Sequence, residues 1–163
     1  MPAPKWLDDR EERAWRGLLN MHGELRRQVS RRLQQETGLS DADYEVLVHL
    51  SEAPRGRMRP FELGRATRWE KSRLSHHLAR MAERGLVVRE SCPTDSRGTV
   101  VALTPAGRTA IRTAAPKHVD HVRALFLAPL TAAQLDALGD ISERILANLS
   151  SAESSDDSCD EEC

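Results

Sequence analysis

Aromatic residues are scarce, at 4% of the 163-residue chain: three tryptophans, one tyrosine and two phenylalanines. Cys92, Cys159 and Cys163 form no Cys-x-x-Cys pair, which argues against a disulfide framework and suits a reducing cytoplasm. No glycine-rich phosphate loop, nucleophile elbow or metal motif of full ligand count is present, so an enzymatic function is not expected. No apolar run approaches the roughly 20 residues of a membrane span. The N-terminus, "MPAPKWLDDREERAW", lacks the apolar centre and small-residue cleavage site of a signal peptide. These absences point to a cytoplasmic, helix-rich protein without a cofactor or a membrane partner.

Charge is plentiful but unevenly placed. The net charge is −1, yet residues 1–110 carry +5 and residues 111–163 carry −6. Residues 55–110 alone carry +7. A basic patch on a near-neutral chain is an electrostatic footprint for a polyanion. Taken alone it is equally an arginine-rich solvated surface.

Apolar residues recur at helical spacing from Leu7 to Glu36, through Trp15, Leu18, His22, Leu25, Val29 and Leu33. The spacing predicts one helix of roughly 40 Å, ended by Gly38. Ser40 caps a second helix that Pro54 stops. A short third helix enters at Pro60, and a fourth runs from Trp69 to Arg84 with Leu74, Leu78 and Met81 as its buried face. Val87–Glu90 and Thr99–Leu103 then pair as a hairpin around "CPTDSRG". Thr104-Pro105 starts a fifth helix, bent at Pro116. Thr131 and Gln134 form a capping box for the last helix, which bears Leu138, Ile141, Ile145 and Leu149. Residues 150–163 are acidic and Ser-rich and are expected to be disordered.

The fold class is therefore mostly α with a small β-hairpin wing: a winged helix-turn-helix between long terminal helices. Residues 40–104 form the lobe, and residues 7–37 and 105–149 the flanking helices. The flanks carry more apolar stripe than one small core can use, and a second copy of the chain is the natural outlet.

The stretch "ELGRATRWEKSRLSHHLARMAERGLVVRESCPTDSRGTVVALTPAGR" resembles the DNA-binding core of the MarR family of bacterial transcriptional regulators. Its marks are "RMAERGLV", the wing motif "DSRG" and the following "LTPAGR". The resemblance covers most of residues 10–149. It implies a homodimer whose terminal helices interlock and whose two lobes bind pseudo-palindromic double-stranded DNA, most often as a repressor. It also implies release of DNA when a small phenolic or anionic effector binds between lobe and dimer interface.

The residues carry a parallel argument. On a helical wheel Leu78 and Met81 fall within about 40° of Leu74, while Ser72 and His76 land nearly opposite. Arg73, Ser75 and Arg80 lie on the flanks, Lys71 sits in the first turn, and His77 is a boundary residue about 60° from Leu74. Hydroxyls, an imidazole and cations suit base edges in the major groove and the phosphates beside it. An arginine at a hairpin tip, Arg97, suits the narrow minor groove. Gly98 permits the turn. By the resemblance, Asp95 braces the wing through a salt bridge to an arginine. Trp15, His22, Tyr44 and His118 are candidates for an effector pocket, since the first, second and fifth helices line it in that family. His118 and His121 could share a helix face but lack a firm third ligand, so no metal site is expected. Cys92 falls at the base of the wing, where oxidation would disturb DNA contact. The alternative to DNA binding is a winged helix that meets an acidic protein partner.

Overall fold

The structure is a computed structural model; it describes residues 5–92 and 95–156, and for 92, 95–98 and 152–156 the backbone alone. Helix α1 (Asp9–Thr37) begins with a capping box. The Asp8 carboxylate accepts from the amides of Arg10 and Glu11, and Glu11 accepts in return from the Asp8 amide at 2.9 Å. Gly38 ends the helix at φ 72°, a left-handed conformation that a side chain would strain. Only the C-terminal half of the α1 stripe is used within the chain, with Val29 and Leu33 buried. Trp15 and Leu18 remain about half exposed, and His22, expected within a core stripe, is exposed. The stripe outruns the lobe it packs on, so the position of His22 on it does not bury that residue.

Ser40 and Asp43 form the capping box of α2 (Asp41–Glu52), whose Val46, Leu47 and Leu50 are fully buried. A short 3₁₀ turn at Pro54–Gly56 leads into β1 (Arg57–Met58), a strand of two residues. Helix α3 (Pro60–Thr67) starts at its proline and ends at Arg68, which turns the chain at φ 55°. Helix α4 (Lys71–Glu83) follows, two residues later than the periodicity suggests. Strands β2 (Val87–Cys92) and β3 (Asp95–Leu103) form the hairpin, and β1 pairs on the other side of β3, giving the order β1-β3-β2. Arg57 on β1 reaches across to Glu90 on β2 at 3.2 Å. Leu33, Leu47, Leu63, Leu78, Met81 and Ile111 belong to one core that joins α1, α2, the helix-turn-helix and α5 (Pro105–Val122).

The motif "LTPAGR" has a physical reading here. The Thr104 hydroxyl accepts from the Gly107 amide at 2.9 Å and donates to the Gly85 carbonyl at 2.6 Å, tying the start of α5 to the exit of α4. Gly107 lies so close to the Leu86 carbonyl that a Cβ would collide with its oxygen. The Arg108 guanidinium donates to the Arg55 carbonyl at 2.9 Å. Helix α5 continues through Pro116, at the cost of one backbone hydrogen bond.

Residues 123–156 form a second unit. A π-helical turn, Arg123–Leu127, precedes α6 (Ala132–Asp156), capped by Thr131 and Gln134 as the sequence suggests. Ile141, Ile145, Leu146 and Leu149 are all about half exposed on α6. Disorder from residue 150 onward is not what the structure shows for 150–156, which extend α6. Adding residues to an existing helix avoids the cost of nucleation, so Ser-rich composition does not stop it at once. Residues 157–163 lie outside the described residues. No single described helix is long and apolar enough to cross a membrane.

Candidate nucleic-acid interface

Helix α4 buries Leu74, Leu78 and Met81, as the wheel requires, and presents Lys71, Ser72, Arg73, Ser75, His76 and Arg80 at its surface. His77 does not belong with that group. It is buried, with Nε2 3.1 Å from Asp43 Oδ1 on α2, off the line of a formed hydrogen bond. Its Nδ1 lies 3.0 Å from an Arg80 nitrogen. A guanidinium only donates, so Nδ1 accepts and the neutral ring carries its proton on Nε2, towards the carboxylate. Burial pushes the His77 pKa below its ordinary value, and Asp43 only partly opposes that. The periodicity put His77 at the boundary; a partner 34 positions earlier in the chain drew it inward.

Asp43 is the hub of this contact. Its Oδ2 accepts from Arg84 at 2.7 Å and from the Ser40 amide at 2.9 Å. Burial opposes its ionisation, but the Arg84 and Ser40 hydrogen bonds outweigh that and hold its pKa below the usual value. The recognition helix is thereby fastened to the start of α2.

Three of the surface polar groups of α4 are engaged within the chain. The Arg73 guanidinium stacks over the Trp69 ring, 4.2 Å from its centroid. Arg80 holds His77, and Arg89 on β2 donates to both the carbonyl and the hydroxyl of Ser75 at 3.3 Å. Arg89 links wing to recognition helix and was not singled out from the sequence. Its position on a strand whose neighbour is α4 is the only signal, and that signal needs the fold. A groove of about 690 Å³ runs between α3, α4 and the wing, lined by Phe61, Arg65, Arg68, Lys71, Arg89 and Thr99 among others. Its lining carries four cations, Arg65, Arg68, Lys71 and Arg89, against one carboxylate, Glu70. Asp95, Arg97 and Gly98 lie on the backbone of β3, with side chains outside the described residues.

A second hollow, of about 520 Å³, opens between α1, α2 and the helix-turn-helix. His22 and Tyr44 line it, together with Arg26, Asp41, Trp69 and Arg73. The other two pocket candidates lie elsewhere. Trp15 lines a separate hollow with Trp6, Leu7 and Leu19, because it sits two helical turns before His22 on α1. His118 lies behind Tyr44, stacked on it at 4.4 Å between centroids, and is not part of the lining. Burial lowers the His118 pKa. His121 instead pairs with Glu36 at 3.0 Å. Among the described residues no three His, Cys, Asp or Glu side chains converge on a metal position.

Comparison with known proteins places this geometry. The MarR family model matches residues 37–98, the lobe from the end of α1 through the wing tip. The structure is similar to that of AbsC, a MarR family transcriptional regulator from Streptomyces coelicolor, at 40% identity and a TM-score of 0.84. That match covers 91% of this chain and 99% of the other. It is also similar to Sco3205 from Streptomyces coelicolor, a MarR family regulator solved in complex with DNA. There the identity is 40%, the TM-score 0.81 and the coverage 88% and 90%. An organohalide-sensing transcriptional regulator in its 2,4-dichlorophenol-bound form shares the fold at 17% identity and a TM-score of 0.74, over 90% and 86% of the two chains. No curated protein matches the chain. A winged lobe with a cationic recognition helix, and 40% identity over nine-tenths of the chain, make this protein a member of the MarR family and a DNA-binding transcriptional regulator.

Proposed function

We propose that the protein is a cytoplasmic homodimeric repressor that reads a pseudo-palindromic operator with two copies of α4 and is relieved by a small aromatic anion. The observation that carries this reading is the cationic surface of α4 beside a wing, in a chain 40% identical to a regulator solved with DNA. Lys71, Ser72, Arg73, Ser75, His76 and Arg80 supply the major-groove and phosphate contacts, and Arg97 the minor-groove contact. Two copies of the chain are supported by the half-exposed apolar stripes of α1 and α6, which a monomer leaves in water. The effector site is the hollow lined by His22, Arg26, Tyr44, Trp69 and Arg73, which offers aromatic walls and guanidinium groups on one concave surface.

Selection of binding sites from random duplexes tests the reading and yields the operator. Enrichment of an inverted repeat is expected, with half-sites about one helical turn apart. Affinity for that duplex should fall along a steep log–log salt slope. No enriched sequence together with a flat slope would mean that the lobe meets a protein instead.

A further inference from the structure

Arg68, in the turn between α3 and α4, occupies a position whose backbone favours glycine. It lies in the left-handed region, at φ 55° and ψ 35°. Its amide bonds back to the Arg65 carbonyl at 3.3 Å, and the following amide, of Trp69, to the Gly64 carbonyl at 3.1 Å. Glycine is the usual residue at this point of a helix terminus, because a Cβ is strained there. Arg68 is exposed, and among the described residues no hydrogen bond or ion pair of its side chain offsets that strain. What the turn gains from an arginine therefore lies outside the chain.

Two concave surfaces meet at this residue. In the 520 Å³ hollow it stands with the guanidinium groups of Arg26 and Arg73 against the carboxylates of Asp41 and Glu45, and Asp41 already pairs with Arg26 at 2.9 Å. In the 690 Å³ groove it belongs to the set of four cations that faces Glu70 alone. Arg65 precedes it by three positions on the same face of α3, beside the exposed Phe61 ring at 5.9 Å. The uncompensated positive charge thus faces the groove between α3, α4 and the wing. A sugar–phosphate strand separates the major groove of a duplex from the minor groove. A lobe that sets α4 in one and the wing in the other turns this groove towards that strand. We propose that Arg68 is a further DNA-contacting residue, which holds a phosphate of the strand that crosses between recognition helix and wing, with Arg65 and Lys71 on either side of it. The strained turn keeps an arginine for its charge. This rests on the DNA-binding reading above and adds to it a contact made by neither α4 nor Arg97.

The test sets duplex affinity against stability in one substitution, with the full chain, by fluorescence anisotropy over a salt series on the selected operator. Arg68→Gly should make the log–log salt slope shallower by about two units, one phosphate in each half-site. The wild-type and variant lines should converge near 1 M salt and lie roughly 10- to 100-fold apart at about 0.1 M. The bases selected should not change, since a phosphate carries no sequence information. The same substitution should raise the melting temperature by about 2–4 °C, because it removes the strain of the turn. A merely structural arginine would not lower affinity while raising stability. Arg68→Lys, which keeps the charge and the strain, should retain the slope and melt with the wild type. Arg112→Gln, which removes an exposed cation on α5 outside the groove, should leave the slope unaltered. An equal loss of slope in Arg112→Gln would make the effect one of net charge and overturns the contact. Unchanged slope and affinity in Arg68→Gly, beside a steep wild-type slope, overturns it too and assigns the guanidinium to the hollow beside α1. A melting temperature lowered by Arg68→Gly overturns the claim that the turn holds arginine for its charge. A flat wild-type slope on the operator and on an unrelated duplex would remove the DNA-binding reading itself, and this contact with it.

Discussion

Replacing Asp43 with alanine should destabilise the protein by about 2–4 kcal/mol, and the size follows from what the carboxylate holds. Asp43 is 1% exposed and receives hydrogen bonds from Arg84 and the Ser40 amide, with the His77 ring beside its other oxygen. Stranding one member of a buried pair costs about 3–5 kcal/mol. Here that is an upper bound, because the Arg84 side chain is 45% exposed and regains water when its partner goes. Loss of the capping box at the start of α2 adds about 1 kcal/mol. For a chain of this size the melting temperature should fall by about 5–15 °C, measured at one protomer concentration because dimerisation contributes to stability. The effect must also depend on pH. The folded pKa of Asp43 is depressed, so its contribution is complete above the unfolded carboxylate value of about 3.9. It is lost as the pH falls through the folded value. In a His77→Gln background, which removes the neighbouring imidazole whose protonation Asp43 favours, the gap between Asp43 and Asp43→Ala should therefore be constant from pH 7 to about pH 5 and narrow towards pH 3. A loss below about 1 kcal/mol, or a gap indifferent to acid, would refute the claim that this carboxylate fastens α4 to α2.

Gly107→Ala places a methyl against the Leu86 carbonyl and should cost about 1–3 kcal/mol or more in chemical denaturation. The helix-favouring gain normally seen for alanine would show that α5 and Leu86 are not in close approach. Arg97→Ala should weaken operator binding and reduce the salt slope by roughly one unit for each phosphate or groove interaction it removes, with the selected major-groove bases unchanged. An unaltered slope and affinity would take the wing off the DNA. Ile145→Glu on the half-exposed face of α6 should shift the chain from dimer to monomer in light scattering at micromolar concentration. A dimeric mass unaffected by glutamate at both Leu18 and Ile145 would move the interface to another surface.

Signals confined to a few neighbouring residues were legible in the sequence. Gly38, Ser40, Pro60, Thr104 and Thr131 mark helix ends because each acts on backbone groups within three or four positions. The buried face of α4 was legible because three apolar side chains at helical spacing can only face one way. Strand β1 was not, since two residues carry no periodicity and pair only because β3 passes beside them. The hairpin strands extend to Cys92 and from Asp95, beyond the β-branched stretch, because ladder hydrogen bonds do not require β-branched side chains.

For the interface, the sequence determined which residue types lie on the outer face of α4, and therefore that the helix offers cations and hydroxyls to an anionic partner. Which of those groups also have partners within the chain was decided by tertiary structure. Arg73 rests on Trp69, Ser75 receives Arg89, and His77 turns inward to Asp43, a residue on a different helix. The same holds for the hollow beside α1: Tyr44 and His22 meet there, while Trp15 and His118 do not, although all four were candidates of similar chemistry. Helical periodicity assigns a side chain to a face, but the neighbour on that face comes from a distant part of the chain, and only packing brings the two together.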